Sequence, residues 1–87
     1  SGYHIKILVA GHTDNIPIRT PKYPTNWELS TARATNVVKY LISQGHLSPE
    51  RLMATGFAEF RPLLDNSSDE NRSRNRRVEI KVMTESS

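Results

Sequence analysis

Residues 11–18, GHTDNIPI, set an imidazole (His12), a hydroxyl (Thr13) and a carboxylate (Asp14) side by side directly after an apolar run. A metal site is the first chemistry these types suggest, but a catalytic zinc needs three protein ligands on a rigid frame. The other histidines are His4 and His46. His4 lies back along the same predicted strand, about 26 Å away if extended, and His46 follows the predicted helix toward the other end of the sheet. The chain has no cysteine, so a thiolate site and a disulfide framework are both excluded. Hydrolysis is the second chemistry. No serine stands in a G-x-S-x-G elbow to complete a triad with His12 and Asp14, and no acid pair is placed for glycoside cleavage. The expectation is a non-enzyme without metal or cofactor.

Binding is the third chemistry, and it draws on elements around the cluster. YHIKILVAG alternates as a strand, with Ile5, Ile7 and Val9 on one face. The loop to Thr25 is stiffened by Pro17, Pro21 and Pro24. A helix is predicted over 27–44, its apolar stripe formed by Ala34, Val37, Val38, Leu41 and Ile42. Thr25 with Glu28 reads as a capping box, and Gly45 suits a left-handed C-terminal cap. Ser48 should cap one short turn at Pro49. RLMATGFA is a second strand, in which Gly56 marks a close backbone approach or a bulge. A polar connection over 58–75, with a helical turn starting near Ser68, leads to RRVEIKVM, a last strand with Val78, Ile80 and Val82 on one face.

In this order the first crossover is parallel, and both of its ends lie on the edge where open α/β sheets bind ligands. Asp14 sits at the strand end and Arg33 in the early turns of the helix, with Asn26 and Ser30 facing the same opening. The helix N-terminus adds donors for an anion. Such a pocket matches an amino-acid zwitterion, its ammonium on Asp14 and its carboxylate on Arg33. An internal Asp14–Arg33 salt bridge tying loop to helix explains the same spacing equally well.

The 87 residues make one small domain, 36% apolar and 24% charged, with a net charge of +3. No apolar run approaches a membrane span. Part of the positive excess is local, since NRSRNRR holds Arg72, Arg74, Arg76 and Arg77. A nucleic-acid-binding module using Arg72 to Arg77 is therefore the alternative from another class, although Asp65, Asp69 and Glu70 lie close by to neutralise it. Three strands and one long helix form a thin fold, as if a strand and helix were missing or a partner were required.

GHTDNIPI, NWELSTARATNVVKYLISQG, GFAEFRP and NRSRNRRVEI together resemble the OmpA-like peptidoglycan-binding domain over about residues 5–83. The tryptophan of NWELS and the proline-bearing loop resemble flagellar-motor stator B subunits (MotB type) more than porins. The resemblance implies that residues 1–87 are one OmpA-like α/β two-layer sandwich, a small mixed sheet with helices, truncated at its N-terminus before the family's first strand and helix. It implies non-covalent binding of the peptidoglycan peptide stem, with Asp14 and Arg33 gripping the zwitterionic end of diaminopimelate. Asn26, Arg76 and Arg77 match further family positions, and Thr13, Asn15 and Ser30 complete the expected binding set. Pairing with acids across the sheet is the other reading of Arg76 and Arg77. The implied parent is anchored in the cytoplasmic membrane, a homodimer partnered by a MotA-type A subunit, its domain lying in the periplasm or cell-wall zone.

Overall fold

The computed structural model describes residues 3–86. Strand β1 (Tyr3–His12) is central, with β2 (Leu52–Gly56) parallel to it on one side and β3 (Arg77–Ser86) antiparallel on the other. Helix α1 (Asn26–Ser43) crosses between the two parallel strands, and a short helix α2 (Asp69–Asn75) precedes β3. This is the small mixed sheet with helices read from the sequence. The last strand runs further than expected because it stays paired with β1 up to Tyr3 and Ser86.

The register sets Ile7 opposite Leu52 and Val82, and Val9 opposite Ala54 and Ile80, so these side chains share one face. Helix α1 packs against β1 and β2 on that face. Val9 beneath the helix and Ala34 on its inner face are fully buried, whereas Ile80 and Val82 remain 53% and 63% exposed. The thin sheet anticipated from the sequence thus has an open apolar margin along β3.

Helix α1 starts where its cap dictates. The Thr25 hydroxyl accepts from the Trp27 N–H, and the Glu28 carboxylate accepts from the Thr25 N–H at 2.8 Å, completing the predicted capping box. Its C-terminus differs from expectation. Gly45 is not left-handed; the positive φ falls one residue later, at His46 (56°). Gly45 is needed for space instead, since a Cβ there would come 2.7 Å from the Leu41 carbonyl oxygen. Ser48 precedes a single 3-10 turn (Pro49–Arg51) as expected, but its side chain makes no capping bond.

The contact that sets the depth of α1 involves two glycines paired in register, Gly11 on β1 and Gly56 on β2. A Cβ on Gly11 would overlap the Ser30 carbonyl oxygen, and one on Gly56 would come 2.6 Å from the Thr31 amide nitrogen. The helix backbone therefore rests directly on the sheet backbone at the C-terminal end of β1. Gly11→Ala and Gly56→Ala are each expected to lower the unfolding free energy by about 1–3 kcal/mol, the usual cost of overpacking. Urea titration checks this, and unchanged midpoints in both variants would show that α1 can ride higher without loss.

Candidate ligand-binding site

Beyond β1 the chain is held by its own polar groups. The Thr13 N–H donates to the Ala58 carbonyl at 2.9 Å, and the Thr13 hydroxyl donates to the Asp14 carbonyl at 2.9 Å. Asp14 then makes an Asx turn, its Oδ1 accepting from the Ile16 N–H at 3.0 Å. Its Oδ2 accepts from Arg76 Nη1 at 2.6 Å, a residue supplied by the C-terminal cap of α2. The Asp14 side chain is 8% exposed and that of Arg76 45%.

Asn26, the first residue of α1, donates through Nδ2 to the carbonyls of Asp14 (3.4 Å) and Ile16 (3.2 Å), pinning the loop to the helix start. Arg33 is half-buried two turns further along the helix. Thr13, Asp14, Asn26, Arg33 and Arg76 line one cavity of about 270 Å³, with Leu29 among its apolar walls. Among the described residues Arg33 has no ion-pair partner, and Asp14 pairs with Arg76 alone. The internal Asp14–Arg33 bridge left open by the spacing is thus not formed. One carboxylate and two guanidiniums give the cavity one net positive charge, which suits a carboxylate-bearing ligand.

Three residues of the expected set are placed elsewhere. Ser30 is fully buried, donating to the Trp27 carbonyl at 3.1 Å and accepting from the Ala58 N–H at 3.0 Å. Asn15 is exposed outside the cavity lining. Arg77 lies on β3 and pairs with Glu79 at 2.6 Å on the same strand. Its Nη2 also donates to the Arg61 carbonyl.

Two structural residues escaped the sequence reading. Ala58 has a left-handed backbone (φ 53°) and no exposed surface, and is held from both sides by Ser30 and Thr13. Asn75 is fully buried; its Oδ1 accepts from the Leu63 and Leu64 N–H groups, and its Nδ2 donates to the Leu64 carbonyl and Asn66 Oδ1. It fixes the connection from which α2 delivers Arg76. An alanine at positive φ carries no sequence signal, and an asparagine among arginines reads as surface.

The basic cluster is spread over four different acids. Arg72 pairs with Asp69, Arg74 with Glu70 at 3.6 Å, Arg76 with Asp14 and Arg77 with Glu79. A nucleic-acid footprint needs cations free to meet phosphates, and this arrangement gives that alternative no support.

His12 and Asp14 part company. The imidazole stacks on Phe57 with centroids 5.3 Å apart, and the Arg61 guanidinium covers that ring 4.6 Å from its centroid. Neither His12 nitrogen has a hydrogen-bond partner among the described residues, and Nε2 stands 3.7 Å from the Glu79 carboxylate. Burial, reinforced by the Arg77 charge, holds the imidazole below its ordinary pKa. The hydrogen bond from Arg77 likewise holds Glu79 below the usual carboxylate value.

The architecture defines a small α/β domain with a charged cavity at the strand end. The OmpA family model matches residues 2–76, and the chain belongs to that family. Within it the chain is 40% identical over 77 residues to motility protein B of Bacillus subtilis, covering 88% of this chain and 30% of the relative. It is similar to the C-terminal domain of Helicobacter pylori MotB, with a TM-score of 0.86 at 36% identity over 93% of this chain and 61% of that one. It is also similar to the cell wall anchor of the T6SS from Pseudomonas aeruginosa, with a TM-score of 0.76 at 45% identity over 91% and 52% of the two chains. The chain spans 30–31% of the length of the first curated relatives it matches.

The His12 environment predicts acid sensitivity. A histidine whose folded pKa is depressed is protonated more readily unfolded, so its contribution is intact above about pH 6.5 and declines below. Glu79 contributes above its unfolded value and loses that contribution only as pH falls through its lower folded value. Stability should therefore drop between pH 7.5 and pH 5.5, and His12→Phe, which can keep the stack on Phe57, should flatten that slope. Urea titrations at the two pH values check this; parallel slopes would show that His12 titrates alike folded and unfolded.

Proposed function

We propose that this domain holds peptidoglycan non-covalently by the zwitterionic end of diaminopimelate in the peptide stem. The observation that carries the reading is that Asp14 and Arg33, from different elements, line one cavity without pairing with each other. The ligand ammonium approaches the Asp14 carboxylate, whose oxygens retain lone pairs beyond those given to Ile16 and Arg76. The ligand carboxylate takes Arg33 in the two-pronged geometry that a guanidinium favours. Arg76 aims Asp14 and adds the second positive charge facing that carboxylate. Asn26 and Thr13 serve by fixing the loop, and Asn15, Ser30 and Arg77 act outside direct contact.

Similarity to MotB domains and to a cell wall anchor supports an anchoring role in the cell envelope, outside the cytoplasmic membrane. On this reading the parent is a stator B subunit, a membrane-anchored homodimer working with a MotA-type A subunit, and the domain lets the stator bear load without turning. Further elements of the parent cover the open margin at Ile80 and Val82.

Asp14→Ala and Arg33→Ala should each weaken cosedimentation with purified peptidoglycan about 10- to 100-fold, the loss of one charge-assisted contact set. Arg33→Ala should leave circular dichroism and the urea midpoint nearly unchanged, since Arg33 has no internal ion pair among the described residues. Full retention of binding in both variants would sink the assignment.

A further inference from the structure

We infer that Arg76 is a specificity-determining residue of this site, making it accept a zwitterionic stem end and refuse one whose carboxylate has been converted to an amide. The inference rests on the stem-binding reading above and names which chemical form of that ligand the site takes. It starts from how Asp14 is occupied. Its Oδ1 is turned into the loop by the Ile16 N–H, and its Oδ2 accepts from Arg76 Nη1 at 2.6 Å. The Asp14 side chain is only 8% exposed, so a ligand cation reaches it through the cavity, whose lining includes Arg76.

The backbone of Arg76 is held on both sides. Its N–H closes α2 on the Arg72 carbonyl at 3.2 Å, buried Asn75 precedes it, and Arg77 after it pairs with His12 in the sheet. The side chain is freer, being 45% exposed. Its bond to Asp14 is the only one its guanidinium makes among the described residues. A guanidinium has further N–H donors, so this one can keep Asp14 and also face a ligand carboxylate.

Charge then separates two ligands of nearly equal shape. Asp14, Arg33 and Arg76 leave the cavity with one net positive charge. A zwitterion adds none: its ammonium shares Asp14 with Arg76, and its carboxylate faces two guanidiniums. The carboxamide of the same stem end brings an ammonium alone. That cation meets Arg76 at one carboxylate with no anion to offset it, and Arg33 faces a neutral amide. Such a repulsive element discriminates as effectively as an added attraction. If Arg76 served only to aim Asp14, its loss would weaken both ligands equally.

Stem peptide with the free diaminopimelate carboxylate, and the same peptide with that carboxylate as its carboxamide, are titrated by calorimetry into the 87-residue chain, Arg76→Gln and Arg76→Lys. The unaltered chain should bind the acid about 100-fold more tightly than the amide, the loss of one charge-assisted contact plus one like-charge encounter. Arg76→Gln, which keeps an N–H donor for Asp14 but no charge, should cut that ratio about tenfold, weakening the acid and not the amide. Arg76→Lys keeps the charge and should keep most of the ratio. An undiminished ratio in Arg76→Gln overturns the inference and leaves the clamp standing, as does a ratio that falls equally in Arg76→Lys. Failure of the unaltered chain to bind either peptide overturns the stem-binding reading itself, and this inference with it.

Discussion

The binding edge depends on one backbone-to-backbone contact, that of α1 with the sheet at Gly11 and Gly56. With side chains at either glycine the helix would stand off from β1 and β2. Ser30 could then no longer reach the Ala58 N–H, nor Asn26 the loop carbonyls. Those bonds position Asp14 and the turn leading to Phe60. A close approach that looks like simple packing is therefore what brings a strand end, a helix and a loop together around one cavity.

Depth in this domain is largely polar. Val9, Ala10, Ala34 and Ala58 are the buried apolar residues among those described, alongside buried His12, Thr13, Asp14, Asn26, Ser30 and Asn75. A small chain has little apolar area to bury, and each buried polar group is costly unless bonded. Five of the six are bonded to backbone or to an opposite charge. His12 is the exception, stacked on Phe57 with neither ring nitrogen hydrogen-bonded among the described residues. The polar interior sits mainly at the clamp end, where it imposes one geometry on the loop rather than adding much stability.

Much of this was legible in the sequence. Alternation marked β1 and β3, the Thr25–Glu28 box marked the start of α1, and Gly56 announced a close approach. Asp14 and Arg33 could be brought to one edge because a parallel crossover returns both ends there. The partner of Asp14 could not be read, since Arg76 is 62 residues away and is delivered by the Asn75 network, which has no local signature. Ser30 and Thr13 looked like ligand contacts because they lie on the right edge. Their hydroxyls are committed to backbone groups, that of Ser30 to the Ala58 N–H and that of Thr13 to the Asp14 carbonyl, and nothing in an alanine foretells the left-handed turn at Ala58.

The Asp14–Arg76 pair also bears on how firmly a single clamp can hold. In the proposed binding mode a ligand ammonium reaching Asp14 would add to, or compete with, a contact the carboxylate already has, so part of the new ion pair would be offset by the old one weakened. Arg33 has no such internal partner among the described residues, so in the proposed binding mode the carboxylate half of a zwitterion would contribute the larger net gain. One clamp of this kind favours reversible attachment. A polymer presents many equivalent stems, and a dimeric parent would present two clamps, so retention would come from effective concentration rather than from the affinity of either site alone.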